Sequence, residues 1–240
     1  MKQDLKQMTK WLIDLGVDGF RVDASNHLEK DWTFPDGYPG YEYFSSLPKH
    51  HEYIEEFGKE LFVPFDVLAI GEAGGASKEE AEKYVGYNNH EFNMLIQFGH
   101  CWLDCDEDNH IMTGKWAKGD LDVRGIKESF DHFYSMLKGV GQNLIYWHNH
   151  DQPRIVSHYG NDQEYRVKSA KILLYTLYFM PGTAIVYQGE EIGMSNVDYT
   201  ELSDFRDVEV YTEYHNFIRR GATPETAMQA LRDRARDNAR

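Results

Sequence analysis

Apolar residues along this chain alternate between two periods, a pattern that predicts helices separated by short strands. Between residues 4 and 15, Leu5, Met8, Trp11, Leu12 and Leu15 fall on one helical face, and Gly16 stops the helix. Gly16-Val-Asp-Gly-Phe-Arg-Val-Asp23 follows at once and reads as a strand, a short join of the kind found in βαβ units. A polar, aromatic stretch from Leu28 to Leu47 leads to a helix from about Lys49 to Leu61. The second strand is Val67-Leu-Ala-Ile-Gly-Glu72. A helix starts after it at Ser77, where Lys78-Glu-Glu-Ala-Glu suits a capped first turn. Phe92 to Phe98 reads as a strand, Leu121 to Leu137 as a helix, and Leu144 to Asp151 as a strand. Tyr165 to Met180 is a long helix stopped by Pro181-Gly182, and Thr183 to Gln188 is a fifth strand. Glu190 and Glu191 are expected to start a helix near a pocket rim. The remainder reads as helical. Thr223 serves as N-cap with Pro224 at the first helical position, and the tail from Arg232 to Asp237 reads as a solvated, charge-alternating face.

The pattern is α/β with a parallel sheet, without repeats or flexible linkers. Three strands run out on a carboxylate: Asp23, Glu72 and Asp151. At the C-terminal edge of an α/β barrel, loops surround a common pocket, so these acids are expected to converge there. Unpaired buried carboxylates repel one another and lose hydration, which makes such a cluster costly as mere structure. The chemistry it suits is glycoside hydrolysis, with one carboxylate as nucleophile and another as proton donor.

Composition narrows the field. At 240 residues and 41% hydrophobic the chain can bury a sizeable core. A net charge of -15 argues against nucleic acid or anionic membrane surfaces as partners, and costs a neutral sugar nothing. Two cysteines imply no disulfide framework. No apolar run approaches the ~20 residues of a membrane span, and no signal peptide precedes the first helix, so a cytoplasmic location is expected. Most of the 16 tyrosines are expected in the core. Trp32, Phe34, Tyr38, Tyr41, Tyr43 and Phe44 instead cluster in a polar loop, where rings can stack on sugar faces. His148-Asn-His150-Asp151 has no second ligand pair beside it, and Cys101 and Cys105 are a single pair, so neither a metal nor a cofactor is expected.

Gly19-Phe-Arg-Val-Asp-Ala-Ser-Asn-His27 resembles the fourth-strand motif of the alpha-amylase superfamily of glycoside hydrolases. Ile70-Gly-Glu72 resembles its fifth-strand motif and Asn149-His-Asp151 its seventh, in the same order. Tyr146-Trp-His-Asn-His-Asp-Gln-Pro-Arg154, Gly160-Asn-Asp, Tyr165-Arg166 and Tyr187-Gln-Gly-Glu-Glu-Ile-Gly-Met194 are similar to the oligosaccharide-cleaving branch. That branch includes alpha-glucosidases, oligo-1,6-glucosidases, dextran glucosidases and trehalose-6-phosphate hydrolases. The likeness runs to Arg236-Asp-Asn-Ala-Arg240. It implies that residues 1–240 are the C-terminal portion of a catalytic barrel: a partial TIM (β/α)8 barrel with about five of its eight parallel strands, corresponding to strands four to eight. The N-terminal strands, the third-strand motif, the domain after it and the loop that often carries calcium are missing, which would leave open strand edges.

By the same resemblance, Asp23 would be the nucleophile, Glu72 the general acid/base and Asp151 the third carboxylate, in a retaining double displacement with the Asp23 and Glu72 carboxyls ~5 Å apart. Arg21, two residues before Asp23 on the same strand face, would keep that carboxylate ionised. Glu72 needs the opposite, an environment that keeps it protonated. His150, His27, Ala24 and Arg154 would contact substrate. Ala24 follows the nucleophile, where alanine goes with alpha-1,4 cleavage and valine with alpha-1,6. The implied substrate is a small alpha-linked gluco-oligosaccharide, alpha-1,4 favoured. An oligo-1,6-glucosidase, a trehalose-6-phosphate hydrolase and an inactive fragment or scaffold subunit are the alternatives.

Overall fold

A computed structural model describes residues 1–37 and 40–236. It divides into two compact units, one formed by residues 1–99 with 131–144, the other by 100–130 with residues from 145 onward.

In the first unit, α1 (Lys2–Asp14) leads into β1 (Gly19–Val22), α2 (Lys49–Phe57) into β2 (Leu68–Glu72), and α3 (Lys78–Val85) into β3 (Met94–Ile96). The three strands pair in parallel in the order β1-β2-β3, with Arg21 opposite Ile70 and Glu72 opposite Ile96. Local chemistry sets the boundaries. Gly16 takes φ +94°, a left-handed value that ends α1 cheaply. A full capping box starts α3: the Ser77 hydroxyl accepts from the Glu80 amide at 3.2 Å, and the Glu80 carboxylate accepts from the Ser77 amide at 2.9 Å. Ile54, Leu61, Phe62, Ala69, Ala81, Tyr84, Phe92 and Leu95 form the core between sheet and helices.

One face is reversed from expectation. Along α1 the buried residues are Lys6 and Thr9, whereas Leu5, Met8, Trp11 and Leu15 are exposed, Trp11 by 59%. Lys6 tolerates burial because it pairs with Glu56 and with Glu60 at 2.8 Å. Among the loop aromatics, Trp32, Phe34 and Tyr41 are exposed, and Tyr41 packs against Phe44. Tyr38 lies outside the described residues.

The helix α4 (Val123–Leu137) is shared between the units. In the second, Ile145 of β4 (Leu144–Ile145) accepts from the Ile185 amide beside β5 (Thr183–Ala184) at 2.9 Å. The helices α5 (Ile155–His158), α6 (Arg166–Phe179), α7 (Val208–Arg219) and α8 (Pro224–Arg234) complete it. Thr223 caps α8 with Pro224 behind it, as expected. One core joins Phe130, Ile145, Trp147, Ile155, Val156 and Leu177. Another joins Trp116, Phe205, Val210, Phe217, Ala227 and Leu231.

The strands β4 and β5 are shorter than the apolar runs suggest. After Ile145 the chain leaves the strand, and at Asn149 it enters an Asx turn whose side-chain oxygen accepts from the Asp151 amide at 2.8 Å. The solvated tail also needs correction: Arg234 is fully buried, because Asp104 and His158 supply the partners that burial of a charge requires. Asp237 and the remainder of the motif to Arg240 lie outside the described residues. Among the described residues, no helix is long and apolar enough to cross a membrane.

Candidate active site

Parallel pairing brings the ends of β1 and β2 side by side, and with them Asp23 and Glu72. Arg21 projects between the two acids. One guanidinium nitrogen donates to Asp23 Oδ1, and the other lies 2.7 Å from Glu72 Oε1. A planar fork suits two carboxylates at once. Ala24 adopts φ 44° and turns its amide back onto Glu72 Oε2 at 3.0 Å, while the Ser25 hydroxyl donates to the Glu72 carbonyl at 2.8 Å. Asp23 and Glu72 are near enough to interact, and Asp23 helps to raise the Glu72 carboxyl. Arg21 draws both carboxyls to one cation.

The two acids have different surroundings. The Asp23 side chain is 73% exposed and that of Glu72 only 9%. Burial raises the Glu72 carboxyl above its ordinary value; the Ala24 amide and Arg21 oppose this, and Asp23 adds to it. An exposed, ion-paired acid beside a buried one whose proton is favoured is the division of labour that a nucleophile and a proton donor need.

His27 is half-buried, tilted against the Phe44 ring at 5.4 Å, and burial lowers its imidazole below the ordinary value.

In the second unit, His150 Nε2 lies 3.4 Å from Asp151 Oδ2, and both side chains are about one-third exposed. Arg154 is 1% exposed and spent internally: it donates to the Gln188 carbonyl and lies 4.8 Å from the centre of the Tyr187 ring. That placement makes it a clasp between the segments after β4 and β5 rather than a side chain presented at a surface. Glu190 begins a 3-10 turn and is buried, whereas Glu191 is exposed and accepts from the Gly189 amide at 2.8 Å.

Sequence reasoning missed two partners here. Arg236 lies 3.3 Å from Asp151, 2.6 Å from Asp207 and 3.1 Å from Glu209, so it ties the third candidate acid to α7. His148 faces Glu190 inside the unit at 3.6 Å. The only available signal for either was its place inside a quoted motif, since spacing carries no trace of these long-range contacts.

Comparison with known proteins gives the family. The pattern of the alpha-amylase catalytic domain matches residues 1–240. The oligo-1,6-glucosidase of Halalkalibacterium halodurans is 38% identical over all of this chain, which spans 43% of that protein. The crystal structure of Bacillus licheniformis trehalose-6-phosphate hydrolase superposes with a TM-score of 0.88 at 33% identity, covering 99% of this chain and 42% of that one. Isomaltulose synthase from Erwinia rhapontici superposes with a TM-score of 0.87 at 30% identity, covering all of this chain and 43% of that one. The chain thus spans less than half the length of these relatives, and its α/β fold with parallel strands is part of their barrel. On these grounds it belongs to the alpha-amylase catalytic-domain family.

Proposed function

We propose that this chain carries the catalytic acids of a retaining glycoside hydrolase acting on alpha-linked gluco-oligosaccharides. The observation that carries the reading is the Asp23–Glu72 pair on adjacent strand ends, one acid exposed and ion-paired, the other buried with its proton favoured. Asp23 attacks the anomeric carbon and forms the glycosyl-enzyme. Glu72 protonates the leaving oxygen, then takes a proton from the water that releases the sugar. Arg21 keeps Asp23 ionised between turnovers. Asp151 acts as the third carboxylate on the sugar hydroxyls, with His150 beside it, and His27 and Ala24 flank the substrate. Arg154 serves this site through the clasp it forms with Gln188 and Tyr187. The proposed setting is the cytoplasm, a reading supported by a sequence with only two cysteines.

For linkage, alpha-1,4 is proposed on Ala24, whose small side chain leaves room for the second sugar. The second reading, alpha-1,6, is favoured by the oligo-1,6-glucosidase at 38% identity.

The test is chemical rescue. Asp23→Gly should abolish hydrolysis of an activated alpha-glucoside, and azide should partly restore turnover as a glycosyl azide of inverted configuration. Turnover without azide at the parental rate overturns the nucleophile assignment.

A further inference from the structure

His148 and Glu190 form an enclosed titratable pair that the proposed chemistry leaves unused. Their exposures are 1% and 3%, and His148 Nδ1 lies 3.6 Å from Glu190 Oε2. Both ring nitrogens of His148 and Oε1 of Glu190 are buried without a hydrogen-bond partner among the described residues. Buried polar atoms of this kind are costly and call for a reason. Their position supplies one. His148 immediately precedes the turn in which Asn149 Oδ1 accepts from the Asp151 amide at 2.8 Å and Gln152 Oε1 accepts from the Asn149 amide at 2.9 Å. Glu190 begins the 3-10 turn after β5, and its Oε2 accepts from the Tyr187 amide at 3.2 Å. The pair therefore links the two segments that follow β4 and β5.

We propose that Glu190 is a positioning residue which, through its buried contact with His148, fixes the turn that carries His150 and Asp151. The claim deepens the glycosidase reading, on which its catalytic meaning rests.

The groups that face the pair explain how it is tuned. Burial pushes the Glu190 carboxyl up to about 7; the Tyr187 amide and Arg154 oppose this, and Glu191 adds to it. Burial pushes the His148 imidazole down to about 3, with the charges of Arg154 and His158 in the same direction. Tyr187 stands edge-on to the His148 ring at 5.2 Å. Both partners are consequently neutral in mildly acidic solution, where they fit side by side without an uncompensated charge. As pH rises through the Glu190 value, a buried carboxylate appears beside a neutral imidazole. It is then drawn toward Arg154, and the contact that holds His148 weakens. The sign follows from a raised acid: its contribution is complete below the ordinary glutamate value and is lost as pH rises through about 7.

Amide hydrogen exchange on the 240-residue chain tests this without any need for turnover. Protection at the Asp151 amide, corrected for the intrinsic exchange rate at each pH, should fall roughly fivefold between pH 7 and 8 in the wild type, following the neutral fraction of a carboxyl that titrates at about 7. In Glu190→Gln, which cannot ionise, protection should stay high at both pH values. In Glu190→Ala it should be low at both, while amides of α7 at Val210 and Phe217 keep theirs. In an active preparation, Gln should restore the kcat/KM that Ala loses. The inference is overturned if Glu190→Gln keeps the wild-type pH dependence, if Glu190→Ala retains full Asp151 protection, or if protection in α7 falls in parallel. Absence of glycosidase activity would count against the functional reading alone, because the exchange result stands apart from it.

Discussion

The amide of Ala24 donates to Glu72 Oε2 at 3.0 Å, and it reaches that oxygen only because Ala24 holds a left-handed φ of 44°. A residue with a Cβ adopts that region at a cost, so the strain lies between the two candidate acids, where it aims a donor. The donor opposes the effect of burial on Glu72, which nevertheless remains above its ordinary value.

Side chains at position 24 should separate strain from specificity. A β-branched residue is poorly tolerated at positive φ, so Ala24→Val should lower the unfolding free energy by about 1–3 kcal/mol. Ala24→Gly should match or exceed wild type by up to about 1 kcal/mol. Urea unfolding measures both. If Ala24 sets linkage, the valine variant should also lose roughly 10- to 200-fold in its preference for maltose-type over isomaltose-type substrates, measured by direct competition. An unchanged ratio would transfer the assignment to the alpha-1,6 reading.

Arg21 keeps two adjacent carboxyls compatible. Replacing it with glutamine leaves them facing each other without a cation, and the Glu72 carboxyl should rise further above its ordinary value. Carbon NMR titration of labelled glutamate reads this directly. For a raised acid, stability is complete below the ordinary value and falls as pH climbs through the folded value, so Arg21→Gln should lose stability over a wider alkaline-side window than wild type. Arg21→Lys should restore the charge without the two-pronged geometry, giving an intermediate titration. An unmoved Glu72 titration in Arg21→Gln would contradict the bridge.

Features encoded by neighbouring residues were legible in the sequence, and features set by distant partners were not. Gly16, the Ser77–Glu80 box and Thr223-Pro224 act within a few residues and marked their helix ends. So did the Val, Ile and Leu runs that became β1, β2 and β3, and hence the adjacency of Asp23 and Glu72. The α1 face misled because periodicity reports which side is apolar, not which side is covered: Lys6 is buried by Glu56 and Glu60, far along the chain. Arg234 misled because alternating charge looks solvated until its partners are known, and Asp104 lies 130 positions away. Leu144 to Asp151 looked like one strand because Tyr146 and Trp147 are as apolar as strand residues, although the Asn149 turn ends the pairing early.

The buried cluster around Arg234 makes a stability prediction. Its guanidinium bonds Asp104, meets His158 Nε2 at 2.8 Å and Cys105 Sγ at 3.3 Å, and lies 5.1 Å from the centre of the Trp102 ring. Arg234→Met strips a buried carboxylate of its main cation and should cost about 3–5 kcal/mol. Removing the exposed Arg124–Glu128 pair by Arg124→Ala should change stability by at most about 0.5 kcal/mol.

The same cluster has a pH signature. Burial alone would raise Asp104, yet hydrogen bonds from His158 and Arg234 prevail and hold it below the ordinary value. A depressed acid stabilises above its unfolded value, and that contribution disappears as pH falls through the folded one. Wild type should therefore lose stability below about pH 4, and Arg234→Met should show a shallower acid-side loss. Urea midpoints across that range provide the measurement.

The central claim is that Asp23 is the nucleophile and Glu72 its acid/base partner. The most direct measurement is to trap the glycosyl-enzyme with a fluorinated alpha-glucosyl fluoride, whose intermediate hydrolyses slowly, and to map the adduct by peptide mass spectrometry. A single glycosyl label is expected, on the peptide containing Asp23, that accumulates in the wild type and is absent from Asp23→Asn. A label on Glu72, Asp151 or any other carboxylate, or no label under conditions where the substrate is turned over, would contradict the assignment.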